Sequence, residues 1–230
     1  MHVEILDFVA GARAARGSTV VIDVFRAFST ACYAAAGGAR VVPVADLEAA
    51  RALGARHPDW LLAGERHGRD LPGFHFGNSP ARIAAAALGG RTLVHTTHAG
   101  TQGLTQADAA DEVLTGSLVN AAAVVRYLRR RAPAVVSIVR MGHEARERSV
   151  EDDLCAELLV ARLAGRDYDT SGIAARLRAA PAAAKFFDPA ASWAPEADFE
   201  LCAAVDRFDF VLRLAAADGD GVRALERVAA

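Results

Sequence analysis

Buried strands that alternate with helices constrain the fold of this chain more than any other feature. Residues 18–25 have the sequence STVVIDVF, and such a β-branched run is typical of a strand packed on both faces. Five more strands are predicted at 39–45, 59–66, 91–97, 111–117 and 133–142. Helices are predicted at 26–36, 46–56, 80–88, 100–110 and 118–131, and a long helix near Glu151.

Strands and helices that alternate over short connections favour a three-layer α/β/α fold with a mostly parallel central sheet. We expect one domain over residues 1–230, since this length supports a sizeable core. The pattern weakens after Gly165, and the proline-containing stretch near Trp193 is interpreted as a flap or a packing segment.

Charge and composition exclude several partners. The net charge of −2 leaves no basic excess for a nucleic acid. The chain has three well-separated cysteines, no apolar run long enough for a membrane span and no basic start of a signal peptide, so a cytoplasmic protein is expected. Lys185 is the only lysine, and arginine supplies the remaining positive charge.

In parallel sheets ligands gather at the carboxyl ends of the strands. Asp23 lies there within an apolar segment, where a carboxylate is costly unless it is paired or holds a metal. A structural ion pair with Arg26 and a functional role are about equally favoured. A haloacid-dehalogenase nucleophile would need a second aspartate two residues on, where Phe25 stands.

The segment GERHGRDLPGFHFGNSP ends a strand at Glu65 and Arg66, and opens a helix at Asn78, Ser79 and Pro80. A helix start presents free N–H groups that suit an anion. Ordinary capping by Ser79 explains the Ser-Pro pair and leaves the Gly-Glu-Arg unexplained.

A second turn, HTTHAGT, follows the strand at 91–97. Gly100 permits a tight turn, while the hydroxyls of Thr96, Thr97 and Thr101 and nearby N–H groups could cradle an anion. The turn lacks the glycine spacing and the lysine of a Walker loop. His98 could donate to a phosphate or only cap the turn, and the capping role is slightly favoured.

Three acids, Glu151, Asp152 and Asp153, occupy the first turn of the long helix. Acids there usually offset the helix dipole. Together with Asp23 and Glu65, they could instead form an all-oxygen site for Mg²⁺. Histidines without close spacing argue against zinc.

These motifs in this order, with the late DFELCAAVDRFDFV, resemble the 2-phosphosulfolactate phosphatase family, also called the ComB family. The resemblance covers nearly the whole chain. It implies a ComB-like fold and a Mg²⁺-dependent phosphoric monoester hydrolase that converts 2-phospho-3-sulfolactate to 3-sulfolactate and phosphate, on the route to coenzyme M.

The resemblance and the motifs together give a set of candidate residues. Catalytic roles fall to Asp23, Glu65 and Arg66, and metal binding to Asp23, Glu65, Glu151 and Asp152. Binding of the phosphate and of any sulfonate falls to Arg26, Asn78, Ser79, Thr96, Thr97, His98, Gly100 and Thr101. Direct attack by water and an aspartyl-phosphate on Asp23 both remain open.

The chain departs from the family pattern at three places that we expect near the substrate: His75, His98-Ala99 and Arg140-Met141-Gly142. Two alternatives therefore stay open. One is a phosphatase of this fold for another small phosphorylated hydroxy acid, and the other is a non-catalytic protein that binds a small anion. Homo-oligomerisation is favoured only by the general frequency of symmetric oligomers.

Overall fold

The computed structural model describes residues 1–230 and confirms an α/β fold with a large, mostly parallel sheet in a three-layer arrangement. The strands are β1 (His2–Asp7), β2 (Ser18–Ile22), β3 (Arg40–Pro43), β4 (Leu61–Arg66), β5 (Arg69–Asp70), β6 (Thr92–Thr96), β7 (Glu112–Gly116), β8 (Val135–Arg140), β9 (Phe210–Leu214) and β10 (Leu225–Ala229). All six predicted strands are confirmed, as β2, β3, β4, β6, β7 and β8.

The helices are α1 (Phe8–Ala14), α2 (Ala27–Ala36), α3 (Leu47–Arg56), α4 (Pro80–Ala84), α5 (Gly100–Gln106), α6 (Ala121–Arg131), α7 (Val150–Leu163), α8 (Ile173–Arg178) and α9 (Glu196–Ala203), with short 3₁₀ segments at Leu118–Asn120 and Pro181–Phe186. The prediction of a helix over 80–88 was wrong in length. The chain leaves the helix after Ala84 and turns, so that Leu88 enters the core.

The sheet order is β1-β8-β2-β7-β9-β10-β3-β6-β4-β5. Strands β1, β8, β2 and β7 are parallel to one another, and so are β3, β6 and β4. The β9–β10 hairpin joins the two groups through three antiparallel pairings, so the two groups run in opposite directions within the sheet. The sequence predicted neither β1 nor this hairpin.

Successive residues of β2 point to opposite faces of the sheet, as the pleat requires. Val21 packs in a core with α1, α2, α5 and residues of both strand groups, such as Val139 and Leu93. Val20 and Ile22 pack on the other face, against α6 and α7. Helices α2 and α5 follow β2 and β6, and both helices lie in the core that the two strand groups share. The carboxyl ends of β2 and β6 therefore lie close together.

Local capping follows the sequence prediction. The Asp46 side chain caps α3 by accepting a hydrogen bond of 2.7 Å from the Ala49 N–H.

None of the helices combines the length and apolar character that a membrane crossing requires.

Candidate functional site

A cavity of about 290 Å³ lies where the chain leaves β2, β4 and β6. Four carboxylates line it, from Asp23, Glu65, Glu144 and Glu151, together with cationic side chains from Arg26, Arg69 and Lys185. The structure therefore brings together Asp23, Glu65 and Glu151 from three separate sequence motifs, and adds Lys185, which lies in none of them.

Asp23 follows β2 and is almost completely buried. Burial raises the pKa of its carboxyl group to about 7, and repulsion by Glu65 and Glu151 contributes in the same direction. The predicted close turn at Gly100 has a steric reason, because a Cβ there would lie 2.8 Å from Oδ2 of Asp23 and 3.0 Å from the Cβ of Ala27. Only glycine lets the turn after β6 approach this carboxylate.

Glu65 stands at the end of β4, and backbone N–H groups hold it. Its Oε2 accepts a hydrogen bond of 2.7 Å from Gly68, and its Oε1 accepts one of 2.7 Å from His98. Glu151, in the first turn of α7, is different, because its Oε2 is buried without a hydrogen-bond partner. Burial raises the pKa of the Glu151 carboxyl group.

This donor set fits a divalent cation. Asp23, Glu65 and Glu151 are buried, both glutamates repel Asp23, and Oε2 of Glu151 has no partner, so the group is costly unless a cation balances it. Oxygen ligands of this kind suit Mg²⁺. The residues that would hold it are Asp23, Glu65 and Glu151.

Asp152, the fourth predicted metal ligand, has another position. Its Oδ1 accepts a hydrogen bond of 2.9 Å from the Val24 N–H, and its Oδ2 accepts one of 2.8 Å from Gly142. It does not line the cavity. Asp152 ties the loop after β2 to the loop after β8, and so positions the walls of the site.

Arg26 lines the cavity, but it does not form the ion pair with Asp23 that the spacing suggested. Its guanidinium donates instead to Asp198 at 2.8 Å and to the Trp193 carbonyl at 2.6 Å. Both members of the Arg26–Asp198 pair are buried. The partner lies 172 positions away, so spacing could not reveal it.

The predicted threonine turn uses its hydroxyls internally. Thr97 and Thr101 exchange hydrogen bonds, with each backbone N–H donating to the hydroxyl of the other residue at 3.1 and 3.2 Å. The hydroxyl of Thr96 accepts from Arg66 at 2.9 Å, and Arg66 also donates to the carbonyls of Glu65 and Ala45. These four predicted residues shape the turns behind the cavity and do not line it.

The helix start at Asn78 and Ser79 divides between lining and support. Asn78 lines the cavity, and its Oδ1 lies 3.1 Å from Nε2 of His95. Burial lowers the pKa of His95 to about 4, so the ring is neutral. If Nε2 donates, both amide N–H bonds of Asn78 are free for a ligand. Ser79 caps α4, as predicted, and donates to Asp198 at 2.6 Å.

Sequence reasoning missed the contribution of the segment near Trp193. Lys185, Trp193 and Asp198 all come from the stretch interpreted as a flap, and the first two line the cavity. The signal available for Lys185 was its status as the only lysine in an arginine-rich chain. Burial lowers the pKa of its ammonium group, and the neighbouring Arg26 acts in the same direction.

Two expectations need correction, namely that His75 lies near the substrate and that the histidines are far apart. His75 is exposed and its Nδ1 accepts from the Leu62 N–H at 3.1 Å, so it lies outside the cavity. The histidines are not scattered in space, since His67 and His98 follow the paired strands β4 and β6 and their ring centroids are 4.7 Å apart. His98, Gly142 and Glu144 do line the cavity.

Comparison with known proteins agrees with these motifs. The family model described as 2-phosphosulpholactate phosphatase matches residues 7–217. A protein of Gloeobacter violaceus is 42% identical over 161 residues, which are 69% of this chain and 68% of that protein. One of Symbiobacterium thermophilum is 41% identical over 151 residues, 64% of each chain.

Both relatives carry the name "Probable 2-phosphosulfolactate phosphatase", as does one of Parasynechococcus marenigrum at 40% identity over 155 residues, 66% of this chain and 64% of that protein. The matched stretches thus span about two thirds of the length of these relatives.

Proposed function

Since the chain belongs to the 2-phosphosulpholactate phosphatase family, we propose that it is a Mg²⁺-dependent phosphoric monoester hydrolase that cleaves 2-phospho-3-sulfolactate, a reaction on the route to coenzyme M. The observation that carries the proposal is the convergence of Asp23, Glu65 and Glu151 on a cavity that Arg26 and Lys185 also line. A site for a simple anion would gain nothing from three carboxylates, whereas a metal-assisted phosphatase needs both kinds of group.

The cationic side chains of the cavity would bind the substrate. Lys185 and Arg69 offer charge to the phosphate or the sulfonate, and the amide of Asn78 offers neutral donors. Asp198 fixes the guanidinium of Arg26 at 2.8 Å, so this cation is held in place before substrate arrives. Mg²⁺, when bound, would offset charge on the phosphoryl oxygens.

Asp23 is the residue around which the chemistry would be arranged. Its carboxylate could orient a water for in-line attack or form an aspartyl-phosphate itself. Single-turnover reactions quenched in acid separate these routes, because a phosphate found on Asp23 by mass spectrometry supports the covalent one.

The test is phosphate release from 2-phospho-3-sulfolactate and from a panel of small phosphate monoesters, with Mg²⁺ and with EDTA. The proteins are the wild type, Asp23→Ala, Glu65→Ala and Glu48→Gln, the last of which removes an exposed acid from α3. Mg²⁺-dependent release that the first two variants lose and the third keeps supports the proposal. Release from a different ester would keep the mechanism and replace the substrate.

Two results would count against the proposal as a whole. Full activity in both cavity variants would refute the assignment of the carboxylates. Absence of release from every ester, combined with stabilisation by sulfate or phosphate alone in a thermal-shift titration, would favour the anion-binding alternative.

A further inference from the structure

Three potential metal ligands meet on one side of the cavity, outside the carboxylate site. His67, His98 and Glu144, here called the His-His-Glu cluster, each offer one ligand atom, and these atoms all lie within 4.8 Å of one another. The three residues follow β4, β6 and β8, so three separate loops supply them. The cluster shares no residue with the set Asp23, Glu65 and Glu151.

Hydrogen bonding explains only two members of the cluster. Nδ1 of His67 lies 2.5 Å from Oε1 of Glu144, and an ordinary hydrogen bond between two surface side chains explains this contact. His98 joins this pair without a hydrogen bond from its ring, and its Nδ1 is buried without a partner. Buried polar atoms in native proteins nearly always have partners, so an unpartnered imidazole nitrogen beside a histidine and a glutamate points to a missing ligand.

The chemistry of the cluster selects the kind of ion. Two imidazole nitrogens and one carboxylate form a known zinc ligand set, with the fourth position open. Mg²⁺ strongly prefers oxygen ligands and suits this set poorly. We propose that His67, His98 and Glu144 bind a divalent transition-metal ion of the Zn²⁺ type at the side of the cavity.

The geometry permits this with small side-chain movements. A tetrahedral ion with bonds of about 2.0–2.2 Å holds its ligand atoms roughly 3.4 Å apart. The side chain of His67 is 68% exposed, so it can rotate toward the other two ligands at little cost. The backbone N–H of His98 donates to Glu65 at 2.7 Å, which holds the backbone of this ligand in place.

An ion in the cluster would add positive charge to the wall that faces the carboxylate site. Its open position accepts water or an anionic group of a molecule in the cavity. This site depends on His98 and on the loop after β8, two of the places where the chain departs from the family pattern. The proposed site stands whether or not the proposed phosphatase activity does.

The test is calorimetric titration of the EDTA-treated full-length protein with Zn²⁺ in the presence of excess Mg²⁺. We expect one Zn²⁺ per chain. His67→Gln, His98→Asn and Glu144→Gln should each weaken binding by at least about 10–100-fold, since even residues that only support a ligand have effects of that size. His2→Gln, which removes an exposed histidine elsewhere, and Asp23→Asn should bind Zn²⁺ like the wild type.

Three results would overturn the site. One is wild-type affinity in both His98→Asn and Glu144→Gln. Another is loss of Zn²⁺ binding in Asp23→Asn with binding retained in His98→Asn, which would place the ion among the carboxylates. The third is wild-type protein whose histidine-ring NMR signals do not change with Zn²⁺, a measurement that holds even if a variant fails to fold.

Discussion

Replacing Asp198 by asparagine would test the role of the buried ion pair that holds Arg26. The substitution keeps the size of the side chain and removes its charge. The two side chains are 0% and 2% exposed and their charged atoms lie 2.8 Å apart. Water therefore has little access to the contact between the two charges.

The structure sets the expected magnitude. Removing one member of a buried pair costs about 3–5 kcal/mol, because an uncompensated charge stays in the interior. Asp198 also accepts hydrogen bonds from Ser79 at 2.6 Å and from the Ala81 N–H at 3.0 Å. The asparagine oxygen can keep those bonds, and its NH2 group then faces the guanidinium, so the loss reports on the charge and on the hydrogen bond from Arg26.

Urea unfolding measures the loss, and two further variants control it. Glu200→Gln lies on the same helix and removes an exposed partner of Arg178, so it should cost at most about 1 kcal/mol. Arg26→Gln combined with Asp198→Asn removes both charges and should be more stable than the sum of the two single losses predicts. An Asp198→Asn protein within about 1 kcal/mol of the wild type would refute the reasoning.

Three further predictions concern the cavity. Gly100→Ala should destabilise the protein by about 1–3 kcal/mol in urea unfolding, because the new Cβ meets Asp23. Gly172→Ala, where a Cβ would have no atom within 4 Å, should have little effect, and equal losses in the two variants would contradict this reasoning. In EDTA, thermal stability should fall as pH rises from about 4 to about 7. The native Asp23 carboxyl group, with its pKa of about 7, binds a proton that the unfolded chain has already released in this range. Asp23→Asn should flatten the pH profile of thermal stability, and an unchanged slope would count against the raised pKa. Lys185→Ala should lower kcat/KM of the proposed reaction by about 10–100-fold through loss of a charged hydrogen bond. Lys185→Arg should retain part of the wild-type kcat/KM, and no effect in either variant would remove Lys185 from the binding groups.

The carboxylate part of the site could be predicted because its motifs are local. Asp23, Glu65 and Glu151 each stand next to a strand end or helix start that hydrophobic patterning identifies, and the family resemblance groups them. The roles of the hydroxyls could not be predicted. Thr97 and Thr101 carry the atoms of an anion cradle, and only the folded turn shows that they bond to each other.

The part of the site that prediction missed comes from residues whose function depends on distant contacts. The stretch that contains Lys185, Trp193 and Asp198 has no regular hydrophobic period. Local sequence therefore could not predict that Trp193 and Asp198 bind Arg26. The edge strand β1 was missed for a related reason, since its residues are only partly buried and its apolar pattern is weak.

The sequence by itself determined the strands and helices of the two parallel groups, because β-branched runs and capping residues act over a few positions. Only the tertiary structure decided how the groups meet. The β9–β10 hairpin reverses one group relative to the other, so the carboxyl ends of β2 and β6 do not share an edge by topology alone. They meet because both groups bury their apolar faces against α2 and α5, and burial of that shared core acts across the whole chain.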